Sequence, residues 1–378
     1  MWLLVASAEL SSAWAQGFTN WNSLLTNWVP ASAPVTNWLS LASSADGNKL
    51  AAGVNFGGIY TNSGGAWAPS GALSKQWWSI ASSADGTKLA AVVFNSGGIY
   101  TSTNSGSTWT SNSAPTAQWA SIASSADGTK LVAVAHNSGG IYTNSGGTWS
   151  PTTAPAASWW SIASSADGTK LAAAANPGGI YTSTNSGGNW TPTIAPGENW
   201  GGIASSADGV KLAAAVNGAG IYTSADSGGT WTLTGAPVKS WYSIASSADG
   251  SKLAAAIYGG GIYASTNSGG TWNPANAPGT NWVSIVSSAD GTKLAAAASG
   301  GQIWTAQATV SPAVLISHSA NTVTVYWPTT PGWSLQQKTN LAVSGGWSAS
   351  SGVTNANGTS YLTVTNPAGK LFFRLQGP

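Results

Sequence analysis

The groups able to do acid–base, nucleophilic or metal chemistry in this 378-residue chain are few enough to place one by one. There are ten carboxylates, two histidines (His136 and His318), a single arginine (Arg374) and no cysteine. Seven of the carboxylates are Asp46, Asp85, Asp127, Asp167, Asp208, Asp249 and Asp290, each inside an Ala-Asp-Gly phrase. Glu9, Glu198 and Asp226 complete the set. A glycosidase needs two carboxyl groups held roughly 5–9.5 Å apart, and aspartates at separate turn tips do not converge in that way. Sugar acids call for clustered arginines that bind carboxylates bidentately, which one arginine cannot supply. The two histidines lie in different parts of the chain, so neither a Ser/His/Asp triad nor a histidine metal site can be assembled. A calcium ring would want several oxygens from each short loop. The Ala-Asp-Gly-x-Lys phrase reads instead as a turn with a local Asp–Lys pairing, worth about 0–1 kcal/mol. No enzyme activity, cofactor or metal is expected. The net charge of +2 comes without any Lys/Arg run, so nucleic acid is not an expected partner.

The aspartates recur every 39 to 42 residues, each inside a longer phrase of the type Trp-Ser-Ile-Ala-Ser-Ser-Ala-Asp-Gly-Thr-Lys-Leu-Ala-Ala. A fixed period of that length marks an array in which each unit buries its apolar face only against its neighbours. In the sixth unit, Trp241-Tyr-Ser-Ile-Ala-Ser-Ser alternates as a half-buried strand does. Asp249-Gly250 then predicts a type I′ hairpin with positive φ at both residues. Leu253-Ala-Ala-Ala-Ile, Ile262-Tyr263-Ala264 and the stretch at Trp272 give second, third and fourth strands. Pro274 and Pro278 break the pairing before the next unit begins at Trp282. Four short antiparallel strands in about 40 residues is the content of a propeller blade. The seventh unit lacks its fourth-strand Trp, whereas Trp28-Val-Pro30 near the N-terminus has no unit of its own. A strand around Thr19–Pro30 is therefore expected to complete the last blade and close the ring, hiding the sheet edges.

The stretch Ser102-x-Asn104-x-Gly106-x-Thr108-Trp109 resembles the Asp-box of BNR-like, sialidase-type and WD40/YVTN-like propellers. It returns at Ser183–Trp190, Ser224–Trp231 and Ser265–Trp272, with an aspartate only at Asp226, and in a version two residues shorter at Thr61–Trp67 and Thr143–Trp149. The resemblance implies an all-β, seven-bladed β-propeller over residues 16–307, and Asp-boxes that serve as blade-stabilising turns. Residues 308–378 resemble a small Ig/FN3-like β-sandwich found at the end of secreted bacterial proteins. Residues 1–15 resemble a degraded signal peptide, with an apolar core and Ala13-Trp14-Ala15 but no basic start. An extracellular or cell-envelope location is expected, and no stretch is apolar enough for a membrane helix.

Tryptophan is the unusual resource, with 23 residues in a chain that is only 6% charged. Trp77 and its equivalents start the first strands, where packing between blades is the ordinary use and a ring platform on the loop face the functional one. That face also collects the variation between copies, which is where binding usually resides. The candidate ligand-binding residues are Phe56, Trp77, Phe94, His136, Glu198 and Tyr258. The expected function is a binding or adhesion module for glycan or cell-envelope material. The alternatives are a protein-interaction scaffold, or a polysaccharide-active hydrolase built on Glu198.

Overall fold

The computed structural model describes residues 4–6, 19–20, 26–95, 97–137, 139–310, 314–319, 322–328, 333–339, 347–356, 359–365 and 371–376. The chain divides into two compact units, Trp21–Gln307 and a second one made of Met1–Asn20 with Ala308–Pro378. Every extended element among the described residues is a β-strand.

In the larger unit the repeat folds as repeated four-stranded antiparallel sheets that resemble a propeller. The sixth copy shows the pattern. Its first strand, Lys239–Ser246, pairs with Leu253–Gly260. That second strand pairs with Ile262–Ser265, which in turn takes Asn273–Pro274. The second strand is the core, because it is flanked on both sides: Leu253, Ala254, Ala255, Ala256 and Ile257 are all buried. The alanines keep neighbouring sheets close, and a buried tryptophan fills the space that remains. Trp77, for example, packs with Ala42, Ala51 and Ile59 of the preceding copy as well as with Ile80 and Val93 of its own.

Each first strand carries a register shift just after its tryptophan, as between Trp77 and Ser79 opposite Val93 and Val92. The residue after the tryptophan is thus an extra one, a β-bulge that leaves the ladder and re-aims its side chain.

The Ala-Asp-Gly turn differs from the expected type I′. Only the glycine has positive φ, as at Gly47 (70°) and Gly86 (69°), and Gly47 N donates to Ser44 O at 3.0 Å. This is a turn around Ala45-Asp46 with the left-handed residue placed after it, where glycine alone is free of steric cost. The carboxylate accepts from the Ser44 hydroxyl and the Asn48 N–H, a pattern kept at the other turns.

The lysine of the phrase reaches beyond its own turn. Lys49 reaches the carbonyl of Asp85 in the next copy at 2.9 Å. Lys88, Lys130, Lys211 and Lys252 repeat the step forward. Lys293 returns to Asp46 O at 3.0 Å. The same turns are joined by main chain: Ala45 N donates to Ala84 O, and the series runs through Ala126, Ala166, Ala207 and Ala248 to Ala289, all at 2.7 Å. Ala289 N then donates to Ala45 O, again at 2.7 Å.

The last copy, Thr280–Ser287, Lys293–Gly301 and Ile303–Gln307, receives its outer strand from Trp28–Pro30. Trp28 lies opposite Ala306, and its ring meets Trp282 at 6.4 Å, as Trp272 meets Trp241 at 6.3 Å in the copy before. Only this part of the expected Thr19–Pro30 strand serves that purpose. Thr19–Asn20 pairs instead with Thr309–Val310 in the other unit.

In that unit two four-stranded sheets share a core of Val323, Val325, Trp327, Leu335, Leu362 and Phe373. One of the sheets includes Leu4–Ala6, paired with Leu371–Phe373. The segment expected as a leader therefore contributes a strand; Ala13-Trp14-Ala15 lies outside the described residues.

The turn hydrogen bonds hold Asp46 and Asp167 down to about 2, chiefly through Ser44 and Ser165, and hold Asp85, Asp127, Asp208 and Asp249 below the usual carboxylate range in the same way. A folded-state value below the unfolded one means that the carboxylate stabilises the fold above the unfolded value and stops doing so as pH falls through the folded one. The melting temperature should be flat from neutral pH down to about 5 and fall steeply between about 4 and 2. A circular-dichroism melt series that declines already between pH 7 and 5 would contradict this.

Candidate functional site

The turn between second and third strands and the connection from one copy to the next lie side by side, joined by the backbone bridges Gly57↔Lys75, Gly97↔Ala117, Gly139↔Ala157 and Gly178↔Glu198. Together they form the loop face. The bulged residues sit beneath it: Trp78, Ala120, Trp160, Gly201 and Tyr242 line a central cavity of about 130 Å³, with Ser79, Ser121 and Ser243 below.

Four rings converge at the mouth of this cavity. Trp78 stacks on Phe94, with centroids 4.5 Å apart and planes at 27°. Trp160 stands edge-on to Trp78 at 5.9 Å and 83°. His136 closes the group, 6.1 Å from Phe94 and 5.6 Å from Trp160. Phe94 and His136 occupy equivalent positions just past the second strand, where their backbone N–H groups donate to Gln76 O and Gln118 O. A further pair lies in the sixth copy, Tyr242 against Tyr258 at 5.8 Å and 38°. Burial, and secondarily the Tyr258 phenol, raises the Tyr242 hydroxyl above its ordinary value. Tyr258 itself is 49% exposed.

Three polar atoms on this face are buried without a hydrogen-bond partner: Asn55 Oδ1, Gln76 Oε1 and His136 Nδ1. Buried polar groups are normally satisfied, so these mark a place where a ligand's donors or water belong. Phe56 is 67% exposed and has φ of 55°, a left-handed conformation seldom adopted by an aromatic residue.

The candidates from sequence thus divide. Phe94 and His136 come together at the cavity mouth, and Phe56 and Tyr258 stand exposed on the same face. Glu198 is half-buried and enters the face through its backbone pairing with Gly178. Trp77 does not reach the face. It is fully buried (0% exposed), its Nε1 donates to Leu73 O at 3.1 Å, and its ring packs against Tyr100 and Trp109. The ring that does reach the face is the next residue, Trp78, together with Trp160, and neither was singled out. Their signal in the sequence was the doubled tryptophan, Trp77-Trp78 and Trp159-Trp160, which breaks strand alternation at the bulge.

A larger cavity of about 530 Å³ lies at the rim between the last and first copies, lined by Asn27, Asn48, Asn62, Trp67, Lys293 and Gln307 among others. Its origin is the shortened third turn of the first copy. In the full-length turns the glycine presses on the preceding copy, so that a Cβ on Gly106 would lie 2.9 Å from Thr61 Cγ2, whereas Gly64 and Gly65, like Gly146 and Gly147 in the other shortened turn, have nothing within 4 Å. Its polar chains are engaged locally: Asn62 bonds Gly65 O and the Gly64 N–H, and Lys293 bonds Asp46 O.

No family model matches the chain, and no curated protein matches its sequence. Its fold is similar to solved structures. YCF48 from Cyanidioschyzon merolae aligns with a TM-score of 0.60 at 15% identity, covering 74% of this chain and 98% of that one. A structure described as YCF48 bound to D1 peptide aligns at 0.59 and 16%, over 75% and 96%. The β-propeller domain of Myceliophteria thermophila Cps50 (Swd1) gives 0.61 at 15%, over 75% and 98%. The GH74 enzyme of Niastella koreensis gives 0.57 at 19%, over 72% of this chain and 43% of that one. These likenesses show an all-β, propeller-like fold.

The neighbouring residues Trp77 and Phe94 should behave oppositely on truncation. Trp77→Ala opens a cavity among well-packed alanines and should cost about 3–5 kcal/mol in chemical denaturation. Phe94→Ala, half-buried at the cavity mouth, should cost less, about 1–2 kcal/mol. Equal losses would show that the loop-face ring is part of the core.

Proposed function

We propose that the chain is a secreted, non-enzymatic, seven-bladed Asp-box propeller with a terminal β-sandwich, and that it binds neutral glycan on its loop face. The cycle of alanine hydrogen bonds that returns from Ala289 to Ala45 supports ring closure, as does the Trp28–Trp282 contact. The observation that carries the ligand class is the Trp78–Phe94 stack beside three unpartnered buried polar atoms. Sugars present apolar C–H faces to aromatic rings and hydroxyl donors at their edges. A ring platform beside buried, unpartnered acceptors such as Asn55 Oδ1 and Gln76 Oε1, which a side-chain rotation would present to a ligand, matches both properties. The low charge of the chain favours a neutral sugar over an acidic one. Hydrolysis would require a second carboxyl group beside Glu198, and the turn aspartates are engaged by their own Ser and backbone partners. A location outside the cell or in the envelope follows from the ligand class.

A protein partner is the second reading. It is favoured by the exposed Val35, Phe56, Leu73 and Val238 of the connections and second turns, and by the peptide carried by the YCF48 relative.

Affinity electrophoresis of the full chain in gels containing neutral polysaccharides (a glucan, a mannan, a xylan) tests the glycan reading. At least one polymer should retard the protein, and Phe94→Ala should weaken that retardation about tenfold. No retardation by any polymer, or retardation unaffected in both Phe94→Ala and Trp78→Ala, overturns it.

A further inference from the structure

The aromatic residues of the loop face are not spread evenly around it. In every copy two positions correspond across the first two strands: the bulged residue after the buried tryptophan, and the residue that follows the buried run of the second strand. In the second copy they are Trp78 and Phe94, in contact at 4.5 Å. In the sixth copy they are Tyr242 and Tyr258, in contact at 5.8 Å. The other copies place Leu39 with Asn55, Ala120 with His136, Trp160 with Asn176, Gly201 with Asn217 and Val283 with Ser299.

Trp160 leans away from its own copy onto Trp78 and His136, and so belongs to the first group. Gly201 places no ring between Trp160 and Tyr242, because a Cβ there would collide with Trp241 O, although all three residues line the same central cavity. Following the hydrogen-bonded order of the copies, the first group spans the second to fourth copies, so the fifth copy separates it from the sixth on one side and the seventh and first copies on the other. Centred on the third copy, the first group faces the sixth across the cavity mouth. The wider arc between them, in the seventh and first copies, offers Asn281, Ser299, Asn37 and Asn55, with no charged side chain among these positions.

The cavity between the groups holds about 130 Å³, well below the roughly 300–1,000 Å³ of pockets that enclose a small ligand. A ligand that used it as a socket for one terminal sugar would not fit. A ligand lying across the mouth would meet rings at both ends and hydrogen-bonding side chains in the middle.

Building on the glycan reading above, we propose that the loop face has two aromatic subsites, Trp78–Phe94–His136–Trp160 and Tyr242–Tyr258, and that its ligand is an internal stretch of a neutral polysaccharide chain long enough to cross the mouth. Once one sugar is seated on the first group, the second contact becomes intramolecular and its effective concentration is set by the chain between. Affinity then rises with chain length until both groups are occupied and levels off beyond that. Mono- and disaccharides reach one group at a time.

Calorimetric titration of the full chain with the polymer that retards it in the gel, and with its oligosaccharides from the disaccharide upward, tests the proposal. The wild type should bind short oligomers weakly and gain affinity once the chain spans both groups. Tyr258→Ala should weaken the long chain about tenfold and leave short oligomers unchanged. Tyr258→Phe, which keeps the ring, should retain long-chain affinity, and Phe94→Ala should weaken both lengths. Affinity independent of length, or a Tyr258→Ala variant that melts and binds like the wild type, overturns the two-subsite arrangement and leaves a single glycan site at Phe94. Loss of binding to every oligomer and polymer in the wild type itself would remove the glycan reading and this inference together.

Discussion

The contact on which the rest of the structure depends is the main-chain hydrogen bond from one turn alanine to the next, repeated until Ala289 donates back to Ala45. No copy of the repeat has enough apolar surface of its own to form a core. The second strands are built of small residues, alanine above all in the later copies, and Trp77 finds its packing partly on Ala42, Ala51 and Ile59 of the copy before. In such an array each copy relies on its neighbours, and the copies at the two ends need extra partners. Trp28–Pro30 supplies the outer strand that the last copy lacks, and the Ala289–Ala45 hydrogen bond joins that copy to the first. The lysine staples act on the same seam, with Lys293 bonding Asp46 O as Lys49 bonds Asp85 O. Each staple is a weak surface contact taken alone. Its effect is on register, because it ties one copy's turn to the next copy's turn.

Much of this was legible in the sequence because it is repeated. The period, the four strands and the transfer of Trp28 to the last copy can all be read from spacing and from one missing tryptophan. The details of the turn were misread for a specific reason. Asp-Gly was taken as the two central residues of a tight hairpin, yet the serine two residues earlier captures the aspartate and shifts the turn back by one position. The lysine was assigned to the nearest carboxylate in sequence, but strand pairing carries it away from its own turn and toward the next copy. Pairing across copies leaves no trace in a single repeat.

The site was half legible. Variation between copies pointed to Phe94, His136, Phe56 and Tyr258, and all lie on the loop face. Trp77 was a misplacement by one residue. Strict alternation makes the first tryptophan and the second equivalent choices, and only the register shift at Trp77/Ser79 decides between them. The invariant ring goes inward, where its Nε1 is satisfied by Leu73 O. The variable one goes to the cavity mouth.

That bulge also explains how a nearly symmetric scaffold can carry an asymmetric surface. A residue inside the ladder faces a neighbouring sheet, and a change of one methylene there is felt by the packing. This is why the alanines and tryptophans hardly vary from copy to copy. The bulged residue has left the ladder, so its size is limited only by the residues across the mouth. Leu39, Trp78, Ala120, Trp160, Gly201, Tyr242 and Val283 occupy the same position and range from no side chain to the largest. Large residues there also need small neighbours, as where Trp78 reaches Trp160 across Ala120. The variation between copies is therefore collected at that bulged position, at the turn past the second strand and in the connections that lie beside that turn on the loop face.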